Sequence, residues 1–174
     1  MSSRPPAGWH LTTGHIFSAD GAFWVCLSPA CDMVPDQLSK EKRDRLRDWL
    51  PFTAVRLNEL PSDRSYDVSS NRYLFLKGAD DVDTFCFNDP SRDSSAPAWY
   101  TMYAAGLGSL SETFELEVVL PRWEDGALVN TTLSAKVVAQ LRYEYALSLM
   151  HRLGGSQTRI GLDYVGRAVD GGDE

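Results

Sequence analysis

Short apolar runs punctuated by turn residues constrain this chain more than any other feature. Gly14-His15-Ile16-Phe17 and Phe23-Trp24-Val25-Cys26-Leu27 flank Ser18-Ala19-Asp20-Gly21, and an Asp-Gly pair supplies the positive φ angles of a tight hairpin turn. Alternation along the second run puts Phe23, Val25 and Leu27 on one face and Trp24, Cys26 and Ser28 on the other. Both faces are mostly apolar, which predicts a central, well-covered strand. Further strands are expected at 52–57, at 72–76 and 84–87 around a Lys77-Gly78-Ala79-Asp80 turn, at 99–103, at 114–120, and near 128–130 after Asp125-Gly126. About seven short strands separated by turn signals form the pattern of a barrel or sandwich.

Two helices complete the expectation. Pro35-Asp36 can start one over residues 37–49, with Asp36 as cap. Its middle, Lys40 to Arg45, is almost wholly charged, so it reads as a surface helix laced with pairs such as Glu41–Arg45. The second is expected over residues 134–153, capped by Thr132 or Ser134 and closed by Gly154-Gly155. Val138, Leu141, Tyr145, Leu149 and Leu153 form its apolar stripe, suited to packing on one side of the sheet or plugging an open barrel end. The predicted fold class is therefore α+β: a small, partly open antiparallel β-barrel with a charged surface helix and a long C-terminal amphipathic helix. Residues 1–8 read as a flexible lead, 9–165 as a single domain, and 166–174 as an acidic flexible tail.

Net charge and cysteine usage narrow the function. At −7, the chain repels phosphate backbones, which disfavours nucleic acid and leaves a protein partner as the simpler expectation. Three cysteines do not make a disulfide framework, so a cytoplasmic home is expected. No apolar run is long enough to span a bilayer. Gly106-Leu107-Gly108-Ser109 matches no dinucleotide, phosphate-loop or hydrolase-elbow pattern. Asp80-Asp81-Val82-Asp83 lacks the remaining ligands of a calcium loop. Cys26, Cys31, His10 and His15 have the wrong spacing for a zinc knuckle. No cofactor or metal is implied.

The most unusual local sequence is Ser28-Pro29-Ala30-Cys31-Asp32, directly after the covered strand. A strand end can hold a side chain rigidly while leaving it reachable. Cys31 is a candidate nucleophile if a base lowers its pKa, with Asp32 as orienting group or base and His15 as the partner imidazole. The ordinary alternative is a buried cysteine and an aspartate capping a turn. Arg142 on the second helix, and Arg159 and Asp163 in Arg159-Ile160-Gly161-Leu162-Asp163-Tyr164, either clasp the C-terminal segment or bring Arg159 beside Cys31-Asp32 to hold an anion. The candidate binding set is thus Ser28, Cys31, Asp32, Arg142, Arg159 and Asp163. If the chain is an enzyme, the candidates are Cys31, Asp32, His15 and Arg159.

Gly14-His15-Ile16-Phe17 with Trp24 to Asp32, and Leu141-Arg142-Tyr143-Glu144-Tyr145 with Arg159 to Tyr164, resemble the two ends of a β-rich module of uncharacterised bacterial proteins. Some of these carry a receiver-like domain and lie in phage-defence loci. A looser likeness is to the PemK/MazF toxin barrel, whose opening glycine–acid–isoleucine strand is similar, with His15 where the acid would stand. The arginine those ribonucleases place near the second strand is absent from Gly21-Ala22-Phe23. On these grounds the chain is expected to be a non-catalytic binding or regulatory module acting through protein contacts in a bacterial phage-defence or signalling system. The alternative they leave is a PemK/MazF-like ribonuclease or a Cys-dependent hydrolase using Cys31 and Asp32.

Overall fold

The computed structural model describes residues 3–34, 39–67, 73–77, 82–88 and 97–159, without the side chains of residues 42, 43 and 156–159. In chain order its elements are β1 (Ser3–Arg4), β2 (His15–Ala19), β3 (Ala22–Cys26), α1 (Lys40–Leu46), β4 (Leu50–Glu59), β5 (Tyr73–Lys77), β6 (Val82–Cys86), β7 (Trp99–Ala104), β8 (Glu115–Glu124), β9 (Ala127–Leu141) and α2 (Tyr143–Arg159). Both Asp-Gly turns form as the sequence predicts. Asp20 and Gly21 have φ of 53° and 66°, and Asp125 and Gly126 have 50° and 81°, the left-handed pair that matches the twist of the flanking strands.

Strands β3, β2, β9, β8, β7 and β4 hydrogen-bond in that order, all antiparallel, and β4 pairs back onto β3 from Phe23↔Leu57 to Cys26↔Ala54. The barrel is therefore closed, where the sequence pattern suggested a partly open one. Ten-residue β4 is long enough to pair with both β3 and β7, so neither long edge of β3 is left free. The β5–β6 hairpin joins the barrel wall through Asn58↔Cys86 and Glu59↔Phe85.

Two cores follow from the alternation along these strands. Inward positions such as Phe17, Trp24, Cys26, Phe52, Ala54, Met102, Val118 and Val137 fill the barrel, with Phe17 and Phe52 in edge contact at 5.9 Å. Outward positions Ile16, Val25, Leu27, Val55 and Leu57 form a second core with Leu74, Leu76, Phe85 and Phe87 of the hairpin region and Ala146, Leu149 and Leu153 of α2. Strand β3 thus has an apolar layer on each side, as its composition predicts. Helix α2 lies on the outer face of the wall and does not plug an end. The barrel end beside Leu50 and Cys26 is instead filled by Leu11, Met33 and Leu110. Gly108 fits there because it sits at φ +86°, with a Cβ position only 3.0 Å from Leu50 Cδ2.

The largest correction concerns residues 134–141, which are strand and not helix. Strand β9 runs fifteen residues from Ala127, and α2 begins only at Tyr143. Thr132 and Ser134 are consequently ladder residues instead of caps, and Gly154-Gly155 lie inside the helix. The stretch Ser134-Ala135-Lys136-Val137-Val138-Ala139-Gln140-Leu141 is rich in helix-compatible residues, but ladder pairing with β8 and β2 overrides that weak preference. A bulge adds to the confusion: Ile16 pairs with Ala139 and Phe17 with Val137, leaving Val138 between them. The extra residue shifts the two-residue alternation and imitates helical spacing.

Smaller differences arise at α1 and the N terminus. Helix α1 spans only Lys40–Leu46. Arg47 at φ 52° ends it in a left-handed turn, and Leu50 already belongs to β4. The expected cap Asp36 lies outside the described residues. In the lead expected to be flexible, Ser3 and Arg4 pair with Leu141 and Gln140 of β9. The acidic tail 166–174 lies outside the described residues.

If α2 seals the outer core, Leu149→Ala should lower unfolding free energy by about 2–4 kcal/mol in a denaturant titration. Ser148→Ala, on the exposed side of the same helix, should change it by less than about 0.5 kcal/mol.

Candidate functional site

The Ser28–Asp32 corner is ordered by backbone pairing. Ser28 is buried, its Oγ accepts the Thr53 N–H at 2.8 Å, and its carbonyl accepts the Thr13 hydroxyl at 2.6 Å. A 3-10 turn follows over Ala30–Met33, closed by Asp32 N–H donating to Pro29 O at 2.9 Å, and it drives Met33 into the barrel end. Cys31 and Asp32 face solvent on this turn. The Cys31 thiol lies 3.7 Å from Asp32 Oδ1, and Asp32 caps no backbone N–H among the described residues.

His15 does not serve Cys31. Its ring is fully buried, with Nδ1 accepting the Thr12 N–H at 3.3 Å and Nε2 donating to Ala7 O at 3.2 Å. Both nitrogens are spent on backbone groups, which fixes the Nε2–H tautomer. Burial holds its pKa below the ordinary value of 6.5, outweighing the hydrogen bond to Ala7, with a smaller push downward from the Arg4 charge. Cys26 is sealed in the barrel, and burial pushes its thiol up to about 12. Neither group is poised for chemistry. Arg142 stands at the start of α2, where its carbonyl accepts the N–H groups of Tyr145 and Ala146 and its side chain is exposed. The Arg159 side chain and all of Asp163 lie outside the described residues.

A different site occupies the opposite end of β3. Inward-facing positions Ala22, Trp24, Tyr100 and Leu120 floor a cavity of about 590 Å³ at the barrel mouth, and the same phase continues outward as Arg56 and Arg122. Trp24 and Tyr100 meet edge to face at 5.3 Å. The Arg56 guanidinium carbon lies 6.0 Å from the centre of the Trp24 ring, within reach of a cation–π attraction. Arg122 Nη2 donates to Asp20 Oδ2 at 3.1 Å. Among the described residues Arg56 has no such carboxylate partner.

This mouth opens because β7 and β8 part company. Their ladder covers only Tyr103↔Val119 and Ala104↔Val118. Two residues further along β8 stands Pro121, which has no N–H to offer the ladder. Beyond it β8 and β9 continue as a two-stranded ribbon to Glu124↔Ala127. At its tip Trp123 and Leu128 form a cross-strand pair, 75% and 60% exposed. Among the described residues, the edges of β7 at Trp99–Met102 and of β8 at Leu120–Glu124 therefore carry no strand partner in this gap. Reading the strands at 52–57 and 99–103 in phase with Trp24 would have pointed to Arg56 and Tyr100. The signal missed was an arginine on the inward phase of a strand, one step beyond the apolar positions.

Two measurements follow from the buried histidine and the exposed corner. Because the folded His15 pKa lies below 6.5, the unfolded chain binds more protons as pH falls through that value. Stability contributed by neutral His15 should be complete above about pH 7 and lost progressively on acidification below about 6.5. His15→Gln should flatten this dependence in unfolding curves taken between pH 7.5 and 5. Asp32→Ala, which removes no backbone cap, should shift unfolding free energy by less than about 0.5 kcal/mol. Compared with family models, with curated proteins and with solved structures, this chain has no match.

Proposed function

We propose that this chain is a non-catalytic binding module that takes an extended segment of a partner protein at the barrel mouth. The observation that carries the reading is the splay between β7 and β8. Two strand edges without a ladder partner among the described residues flank an aromatic floor, and an extended peptide adding to such edges gains main-chain hydrogen bonds while its alternate side chains enter the pocket. Trp123 and the half-buried Tyr100, backed by the buried Trp24, supply apolar and aromatic surface, the residue types that dominate binding hot spots. Arg56, without a carboxylate partner among the described residues, supplies a guanidinium for a carboxylate on the incoming segment. Exposed Trp123 and Leu128 are costly to leave in water and are consistent with a contact surface.

Catalysis at Cys31 has weaker support. No histidine hydrogen-bonds to Cys31 among the described residues, and its contact to Asp32 is long. A ribonuclease reading would use the same mouth, because arginines and aromatic rings can also hold phosphate and base. Net charge −7 opposes it.

The test uses affinity capture from the native host with the wild-type chain, Arg56→Glu, and a photo-crosslinking residue placed at position 123 or at position 32. A protein cross-linked from position 123 and lost with Arg56→Glu, at unchanged melting temperature, is the expected result. Cross-linking only from position 32, retention of the same partner by Arg56→Glu, or capture of RNA in place of protein would each overturn the proposal.

A further inference from the structure

A second cavity, of about 440 Å³, lies on the outer face of the barrel, where Phe23 points to the opposite side of β3 from the mouth-lining Ala22 and Trp24. Its walls are Phe23 of β3, Leu76 and Phe85 of the β5–β6 hairpin, and Val138 and Ala139 at the β9 bulge, with Ser3 to Pro6 along one side. Phe23 and Phe85 meet edge to face at 5.2 Å. The bulge matters because it keeps Ala139 on the same outer face as Val138, which follows inward Val137 and is 39% exposed beside the cavity.

Among the described residues, the charged groups lining this apolar space are Arg4, Lys77 and Asp83, an excess of one positive charge. Arg4 is held in place: its Nη2 donates to Gln140 Oε1 at 3.1 Å, and its backbone pairs with Gln140. The strap that carries it is fastened again at Ala7, whose carbonyl accepts from buried His15. Lys77 has no ion-pair partner among the described residues. A concave, largely apolar cavity with a few convergent charged groups is the usual form of a small-molecule site.

We propose that this cavity binds a small apolar monoanion, an acyl chain or flat ring system bearing one carboxylate. The hydrocarbon body lies on Phe23, Leu76, Phe85 and Val138, and the carboxylate faces Arg4 and Lys77. Burying the apolar body provides the main driving force. The surplus cation selects the sign of the head group, because a cationic amphiphile would meet Arg4 and Lys77 with, among the described residues, Asp83 alone to compensate.

Isothermal titration calorimetry with decanoate and with decyltrimethylammonium tests this directly. The expected result is one saturable decanoate site, at least tenfold tighter than for the cationic chain. Lys77→Glu, a surface change, should weaken decanoate at least fivefold, and Ala139→Trp should abolish binding by filling the cavity. Trp123→Ser, on the ribbon at the mouth and outside this cavity's lining, should leave decanoate affinity unchanged, so this site and the peptide site can fail separately. Absence of saturable binding, equal affinity for the two head groups, or an unaltered decanoate affinity in Lys77→Glu would overturn the assignment. The surface variant decides the matter even if Ala139→Trp does not fold.

Discussion

Between Ala127 and Leu141, β9 hydrogen-bonds in turn to β8, β2 and β1, and the remaining architecture follows from that sequence of partners. Its first half builds the projecting ribbon with β8. Its middle closes the barrel against β2. Its last residues receive the N-terminal strap, after which the chain turns into α2 and lays Ala146, Leu149 and Leu153 over the wall. A single strand serving three neighbours cannot slip by one residue without exchanging inward and outward side chains along the whole wall. The Val138 bulge lies inside the β2 ladder and shifts its register by one residue between Ile16 and Phe17.

Most of the β architecture was legible in the sequence because its signals are local. Asp20-Gly21 and Asp125-Gly126 state their turn geometry directly. The two apolar faces of Phe23 to Leu27 correspond to the two cores found on either side of β3. The extent of β9 was not legible, because whether Ser134 to Leu141 forms helix or strand depends on partners distant in the chain. Barrel closure is likewise a long-range property of β4. At the corner, Cys31 and Asp32 are both exposed, against the buried cysteine and capping aspartate that their residue types suggest, and the burial of His15 and the use of both its nitrogens were not legible either. The mouth was missed because Arg56 and Arg122 are isolated in sequence and meet only when the barrel closes.

The two ends of the barrel solve different problems. At one end Leu11, Met33 and Leu110 complete the apolar filling, and the Ser28 hydroxyl satisfies a backbone amide that would otherwise lose its partner. At the other, the inward-facing positions change from apolar to arginine before the strands end. The interior is thus continuous from a sealed base to a charged, aromatic rim. A rigid, filled barrel holds that rim in a fixed shape, which lowers the entropy lost when a ligand settles there.

The strap fastened by Ser3 and Arg4 has a practical consequence for how the molecule can be joined to others. Ser3 sits against Leu141, six residues along β9 from Ala135, where β2 leaves the ladder near the mouth. At strand rise this separation is about 20 Å. Any domain or tag attached ahead of Ser3 emerges beside the acyl-sized cavity and at a distance from the arginine rim. Such a fusion therefore crowds one surface and spares the other.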